Sequence, residues 1–346
     1  MLSRTSLSTL RRCSTPRLLP LLPSSRSFFS PPPPLPAEVA PLKSAQQHFL
    51  PVVHEELGSL RRQAFSSPAN DARAYSAEEL LAEGEKLRDK VVLVTGAGSL
   101  QGFGGQVALK AASYGAKVVV SDVREDAAVK VQKEIEKMGG QATAIGCDVS
   151  DWDQQVRIFK HAVRTYGHVD VVIANAGMGD DFSGLLAEFE TDQGDPAKPL
   201  LRCVHVDLIG VIYSAKLAFW YLRRSPTRAS KAFIAVGSVS ARFAFPGVPL
   251  YAAAKHGILG LQRALYYDGL ENGITVNTIQ PWIVETPITM DSKNGGILAD
   301  VPKGKVEDVV SALIKASTTE ESGQELFVDE KGVFSLPHKS SGYLKK

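Results

Sequence analysis

Between Lys90 and Asp329, short apolar runs alternate with longer stretches in which apolar residues recur every three or four positions. Lys90-Val-Val-Leu-Val-Thr95 is a continuous β-branched run that stops at a glycine, the pattern of a strand buried on both faces of a parallel sheet. Ala116–Asp122, Gln141–Gly146, Val169–Ala174, Lys231–Gly237, Gly273–Pro281 and Glu325–Asp329 read the same way. The intervening periods predict helices: one opening near Phe103, then Glu125–Met138, and Asp151–Tyr166 with Val156, Phe159, Ala162 and Val163 inward. A long apolar helix lies within Pro199–Arg223, another runs through Pro249–Leu265, and a last one covers Val306–Ser317. Repeated β-α units of this length predict an α/β fold, a doubly wound parallel sheet with right-handed crossovers.

Two stretches fall outside the pattern. Residues 1–37 carry Arg4, Arg11, Arg12, Arg17 and Arg26, many serines, and no acid before Glu38. That is the composition of a mitochondrial or plastid transit peptide, with a disordered tail as the other reading. The run Pro31-Pro-Pro-Pro-Leu-Pro36 is extended polyproline. Residues 38–89 form a second prelude with short helical patterns, among them Ser76–Gly84, where Ser76 and Glu79 resemble a capping box. This prelude is expected to lie on the surface of a main domain spanning 90–336, with a loose tail over 337–346.

Composition changes this picture little. The 346 residues are 44% hydrophobic and 22% charged, enough for a sizeable core. A formal net charge of +2 gives no reason to expect nucleic-acid binding. Cys13, Cys147 and Cys203 fit neither a metal site nor a disulfide framework. No apolar run reads as a membrane span.

The chemistry sits where predicted strands end. After Thr95 come Gly96-Ala-Gly-Ser-Leu-Gln-Gly102-Phe103-Gly104, a glycine-rich turn between a strand and a helix. Backbone N–H groups at such a helix start face an anion, and missing Cβ atoms let a pyrophosphate come close, the Rossmann-type arrangement. The next strand ends in Asp122, an acid placed to accept hydrogen bonds from ribose hydroxyls and to repel a 2′-phosphate. That favours NAD over NADP, although Arg124 is close enough to hold a 2′-phosphate, and Asp122 would also suit a helix N-cap. Asp148 and Asn175 fall at the ends of later strands, as ligand contacts or as turn residues. Ser238 ends another, thirteen residues before Tyr251. Tyr251 and Lys255 are four apart on one predicted helix, hence on one face, where an ammonium favours a phenolate.

Taken in order, Thr95-Gly96…Gly102-Phe103-Gly104, Asp122, Asp148-Val149, Asn175-Ala-Gly177, Ser238 and Tyr251-x-x-x-Lys255 resemble the short-chain dehydrogenase/reductase family over about Lys90–Leu336. The resemblance implies a NAD(P)-dependent oxidoreductase interconverting a secondary alcohol and a ketone or aldehyde. It makes Tyr251 the acid/base, with Lys255 lowering its pKa and holding the nicotinamide ribose, and Ser238 orienting the substrate oxygen. Gly96, Gly102, Phe103 and Gly104 would face the pyrophosphate, Asp148 and Val149 the adenine, and Ile283 and Thr286 the carboxamide, with Asn175 supporting the cofactor. Asp122, the Val206–Val211 run and the closing Gly323–Val328 run look most like the hydroxyprostaglandin-dehydrogenase branch. A homodimer or homotetramer is implied too, through helices around Leu208 and Leu259 whose apolar surface exceeds what one sheet face covers.

The chain departs from the family in three places. Five residues separate Gly96 from Gly102, two more than usual. Asp207 stands where the family often has asparagine, bringing a charge near Lys255 that acts to raise the lysine pKa. Trp282 follows Pro281 where glycine is common, narrowing a pocket or packing outward. The altered loop and Asp207 motivate an alternative, a nucleotide-binding protein that keeps the fold without turnover. Phe243, Phe245 and Trp282, with Leu208, Val211 and Leu217, suit either an apolar substrate or plain core.

Overall fold

The computed structural model describes residues 51–62 except 53 and 60, then 73–180, 185, 194–226, 230–243, 245, 247–286, 289 and 302–336. Its elements run β1 (Arg73–Tyr75), α1 (Ala77–Leu81), β2 (Val91–Thr95), α2 (Phe103–Ser113), β3 (Lys117–Asp122), α3 (Glu125–Lys137), β4 (Gln141–Gly146), α4 (Trp152–Tyr166) and β5 (Val171–Ala174). There follow α5 (Arg202–Leu222), β6 (Lys231–Val236), α6 (Pro249–Asn272), β7 (Ile274–Pro281), α7 (Val306–Thr318), β8 (Glu325–Asp329) and β9 (Gly332–Leu336).

One sheet holds all the strands, in the order β1-β9-β8-β7-β6-β5-β2-β3-β4. From β4 to β8 every pairing is parallel. β2 lies between β3 and β5, so the winding reverses there and leaves a crevice beyond the strands' carboxyl ends, where ligands of such sheets bind.

Alternation along the strands divides the core into two layers. Val92 and Val94 of β2, Val118 and Val120 of β3, and Val171 and Ile173 of β5 face α2, α3 and α7. Val91, Leu93, Val119, Val172 and Ala174 point the other way, onto α4, α5 and α6. Val91 to Val94 are each 0% exposed, which is why this strand reads as an unbroken apolar run. Buried Asp170 pins the other end of the sheet, taking the Val91 N–H at 2.9 Å and the Ser225 hydroxyl at 2.6 Å.

The prelude is not a surface appendage. β1 pairs antiparallel with β9, Arg73 opposite Ser335, and Leu80 and Leu87 are buried in the core. The Ser76–Glu79 capping box forms, with Glu79 N to Ser76 Oγ at 3.1 Å and Ser76 N to Glu79 Oε2 at 2.8 Å. Sequence reading begins the domain at Lys90 because β1 is only Arg-Ala-Tyr, too short to show a period. β9 is likewise unforeseen. It returns along β8 through a tight hairpin at Gly332, whose φ is 104°.

By length and composition α5, Arg202–Leu222, is apolar enough to cross a bilayer, yet half of its apolar window is buried against the sheet and α4, as in a core helix. Its helix widens by one residue per turn over His205–Ile209, a π segment that includes Asp207.

Candidate active site

Three elements deliver the chemistry-bearing side chains: the turn after β6, the first turns of α6, and the π segment of α5. Ser238 follows β6 and Gly237 in extended backbone. Its Oγ accepts the Ser240 N–H at 3.1 Å, and its own N–H is held by Gln280 Oε1 at 2.8 Å. Gln280 is fully buried on β7, and sequence reading missed it. It reaches Ser238 because Gly237 has no Cβ, which would stand 2.4 Å from Gln280 Oε1. The strand also carries Thr275, Asn277 and Thr278, so Gln280 did not stand out in the sequence.

Tyr251 and Lys255 occupy the third and seventh positions of α6. Pro249 starts that helix with its fixed φ, but Val248 before it offers no capping side chain. The missing acceptor comes from Asp180, a residue sequence reading passed over, whose Oδ2 takes the Leu250 N–H at 3.0 Å and the Tyr251 N–H at 3.4 Å. The Ser238 hydroxyl is close enough to the phenol to ease its ionisation, and the ammonium lies 5.2 Å from the Tyr251 ring centre.

Lys255 is 4% exposed and Asp207 0%. Lys255 Nζ stands 2.9 Å from Asp207 Oδ2, off the hydrogen-bonding direction, and donates to the Val236 carbonyl at 3.3 Å. Asp207 Oδ1 accepts the Met178 N–H at 2.8 Å. The charges push on one another in an ordered way. Burial raises the Tyr251 pKa, Lys255 pulls it back, and Asp207 pushes it up again, so the phenol ends above its ordinary value. The resemblance implies a phenol lowered by Lys255. That pull is present but is outweighed by desolvation and by Asp207. Burial acts to lower Lys255, and Asp207 and Tyr251 more than reverse it, so the lysine is held as an ammonium. Burial raises Asp207 against the pull of Lys255 and the Met178 N–H.

The glycine loop follows β2. Asn175 clamps it, Nδ2 donating to the Thr95 and Gly96 carbonyls at 2.9 Å each, while Thr95 Oγ1 takes the Asn175 and Ala176 N–H groups. Asn175 is therefore spent on bracing the loop. Gly104 and Gly105 let α2 press against that loop: a Cβ on Gly105 would fall 1.9 Å from the Ser99 carbonyl oxygen. Gly102 caps α2 without a side-chain hydrogen bond, leaving the helix start to other acceptors. The Phe103 ring packs against the core, so only its backbone faces the loop.

Asp122 ends β3 beside this loop. It takes the Gly98 N–H at 2.8 Å and the Arg124 N–H at 3.0 Å, and α3 is capped at Arg124, so Asp122 is not the N-cap. Each carboxylate oxygen keeps a lone pair for a hydroxyl. Asp148 is tied to Ser150 N and Oγ, and Val149 is buried under Gly210 of α5. Past β7, Ile283 is bonded through its carbonyl to Gly304 N, and buried Thr286 is tied to Thr289. An uncapped helix start, a glycine cradle and an acid at the next strand end fit a dinucleotide.

Trp282 packs against Val239, Phe327 and Phe334, with its Nε1 donating to the Pro302 carbonyl at 2.8 Å. Val211 and Leu217 are core as well. The polar, glycine-containing stretch Ile288–Val306, which stands where the resembled family carries its substrate loop, lies mostly outside the described residues.

A doubly wound sheet, a glycine cradle at its switch point and a serine–tyrosine–lysine set beyond its strand ends together fit an oxidoreductase. Residues 90–295 match the family model described as short chain dehydrogenase, and the chain belongs to that family. It is 28% identical to a cyclohexanol dehydrogenase of Acinetobacter sp. (strain SE19) over 250 residues, covering 70% of this chain and 95% of the relative. It is 31% identical to a mitochondrial borneol dehydrogenase of Lavandula x intermedia over 252 residues, 70% of this chain and 90% of that one. The fold is shared with a short-chain type dehydrogenase/reductase from Mycobacterium marinum, at a TM-score of 0.63 and 23% identity, over 72% of this chain and 98% of the other.

Proposed function

We propose that the chain interconverts a secondary alcohol and its ketone, or an aldehyde, with NAD preferred over NADP. The observation that carries the reading is the meeting of Ser238, Tyr251 and the buried Lys255–Asp207 pair at the carboxyl ends of the strands. The nicotinamide, when bound, supplies or accepts the hydride. Tyr251 holds or takes the proton at the substrate oxygen. Ser238 spends one lone pair on Ser240, which leaves its hydrogen available to an oxygen at the phenol. Lys255 keeps a positive charge beside that proton. Asp122 would receive ribose hydroxyls and repel a 2′-phosphate.

The relatives are named for cyclohexanol and borneol, which supports a compact apolar alcohol. The likeness to hydroxyprostaglandin dehydrogenases adds prostaglandin-like alcohols. A panel of these, followed by nicotinamide absorbance with each dinucleotide, is expected to give turnover with NAD and a weaker response with NADP. Equal or better use of NADP would remove the role given to Asp122. Dinucleotide binding with no turnover on any alcohol or ketone would favour the alternative, a nucleotide-binding protein that retains the fold.

A homodimer or homotetramer belongs to the same proposal, through the same two helices but not through Leu208 and Leu259 themselves. Leu208 packs over Gly257 and Leu259 is 4% exposed, so both are used within the chain. Between α5 and α6 a groove of about 700 Å³, lined by Phe219, Trp220, Leu261 and Leu265, contains none of the catalytic residues. Trp220 there is 52% exposed. Light scattering is expected to give at least twice the chain mass, and a monomeric mass would end this reading. For location we propose mitochondria, from residues 1–37; a fluorescent reporter bearing them that stays in the cytosol would refute it.

A further inference from the structure

The prelude ahead of the matched family region reaches the active site. Its described residues within 51–62 are helical. Leu57, 1% exposed, joins a cluster with Val239, Trp282, Phe327 and Phe334, against which Phe243, Phe245 and Ile283 also pack. Val239 is the residue after Ser238, and Trp282 and Ile283 directly follow β7. One leucine thus shares a buried cluster with the turn that carries the serine and with the segment that implied carboxamide contacts come from. A second fastening lies a turn further on. Arg61 Nη1 donates to both carboxylate oxygens of Asp329, at 2.7 and 2.8 Å, and its guanidinium sits 4.8 Å from the Phe334 ring centre. The side chain of Asp329 is only 3% exposed, so Arg61 neutralises a buried charge. His54 completes the set, 3.2 Å from Glu330 Oε2 and with its ring 5.7 Å from that of Trp282.

We propose that Leu57 and Arg61 are positioning residues that clamp the Ser238–Phe245 turn against Trp282 and Ile283, and so fix the apolar wall an alcohol substrate lies against. This rests on the dehydrogenase reading. The wall is made of two segments that follow different strands, and Leu57 and His54 of the prelude helix pack into the cluster that joins them. Loosening it moves the wall while leaving the glycine cradle, on the far side of β5, untouched.

The full chain carrying Leu57→Ala or Arg61→Ala is compared with wild type and with Arg61→Lys, using cyclohexanol and borneol as probes. The expected result is a KM higher by about tenfold for borneol, with less change for cyclohexanol, and kcat and NAD affinity each within about threefold of wild type. Arg61→Lys is expected to recover part of the loss. An unchanged KM overturns the proposal, including the case in which kcat falls at constant KM, which is the pattern of plain loss of folded enzyme. A second measurement needs no turnover. Of the three tryptophans, Trp152 and Trp220 are 40% and 52% exposed and Trp282 is 4% exposed, so emission shielded from acrylamide comes from Trp282. Leu57→Ala is expected to abolish that shielded fraction, and its persistence would sink the clamp. Absence of wild-type turnover would overturn the dehydrogenase reading itself, and the quenching result then decides the clamp alone.

Discussion

Tyr251→Phe is expected to lower kcat for alcohol oxidation by about 10²–10⁴-fold while leaving NAD affinity within a few-fold of wild type. The phenol is the group beside Ser238 that can exchange a proton with a substrate oxygen, and phenylalanine removes that proton without removing the ring. The fold should tolerate the change, because Ser238 keeps Ser240 and Gln280 as partners. The pH dependence carries a sign. Burial first, and Asp207 after it, raise the phenol pKa above its ordinary 10.0. Oxidation needs the deprotonated phenol, so its kcat/KM should climb about tenfold per pH unit across the neutral range. Carbonyl reduction needs the protonated phenol, which is fully populated there, so its rate should stay flat. Rate profiles in both directions check this; a flat oxidation profile, or full activity in the phenylalanine variant, removes Tyr251 from the chemistry.

The second large effect is at Asp207. Asp207→Ala leaves the Lys255 ammonium buried beside the Val236 carbonyl with no counter-charge, a loss expected to be about 3–5 kcal/mol, read from denaturant unfolding. Asp207→Asn keeps an acceptor for the Met178 N–H and should cost less. It also removes the push that Asp207 exerts on the phenol, so the rising limb of oxidation should move to lower pH. A move to higher pH would mean that Asp207 acts chiefly by keeping Lys255 charged. Linkage gives a further sign. The folded-state pKa of Lys255 is raised above 10.5, so its contribution to stability is complete below that value and is lost as pH climbs through the folded pKa. Wild type should therefore lose stability in strongly alkaline solution, and Asp207→Asn should lose less over the same window.

Much of this was legible before any coordinates. Long periodic elements announced themselves: α4, with its apolar face and Asp151 cap, and β2, apolar at every position, stand where the pattern puts them. The spacing that sets Tyr251 above Lys255 is a property of any helix. What the pattern withheld depends on distance along the chain. Asp180 caps α6 from 70 residues away, Gln280 holds Ser238 from 42, and Leu57 reaches Val239 and Trp282 from the far end of the sequence. No local period encodes such pairings. The net direction at Tyr251 was hidden for a related reason: Lys255 is four residues off and easily weighed, whereas burial of the whole site is a tertiary quantity.

The joining of β1 to β9 bears on how the molecule is made. Arg73 to Tyr75 can find their partners only once Val333 to Ser335 exist, some 260 residues later. A chain emerging from a ribosome must carry its prelude unplaced until synthesis is almost complete, and loop closure over that span is slow. The last pairing to form is then the one that seals the edge of β9, and it draws the prelude helix toward the aromatic cluster at the same moment. Assembly of the sheet and completion of the substrate wall become a single late event, so a chain cut short before β9 would hold its nucleotide cradle without a finished site.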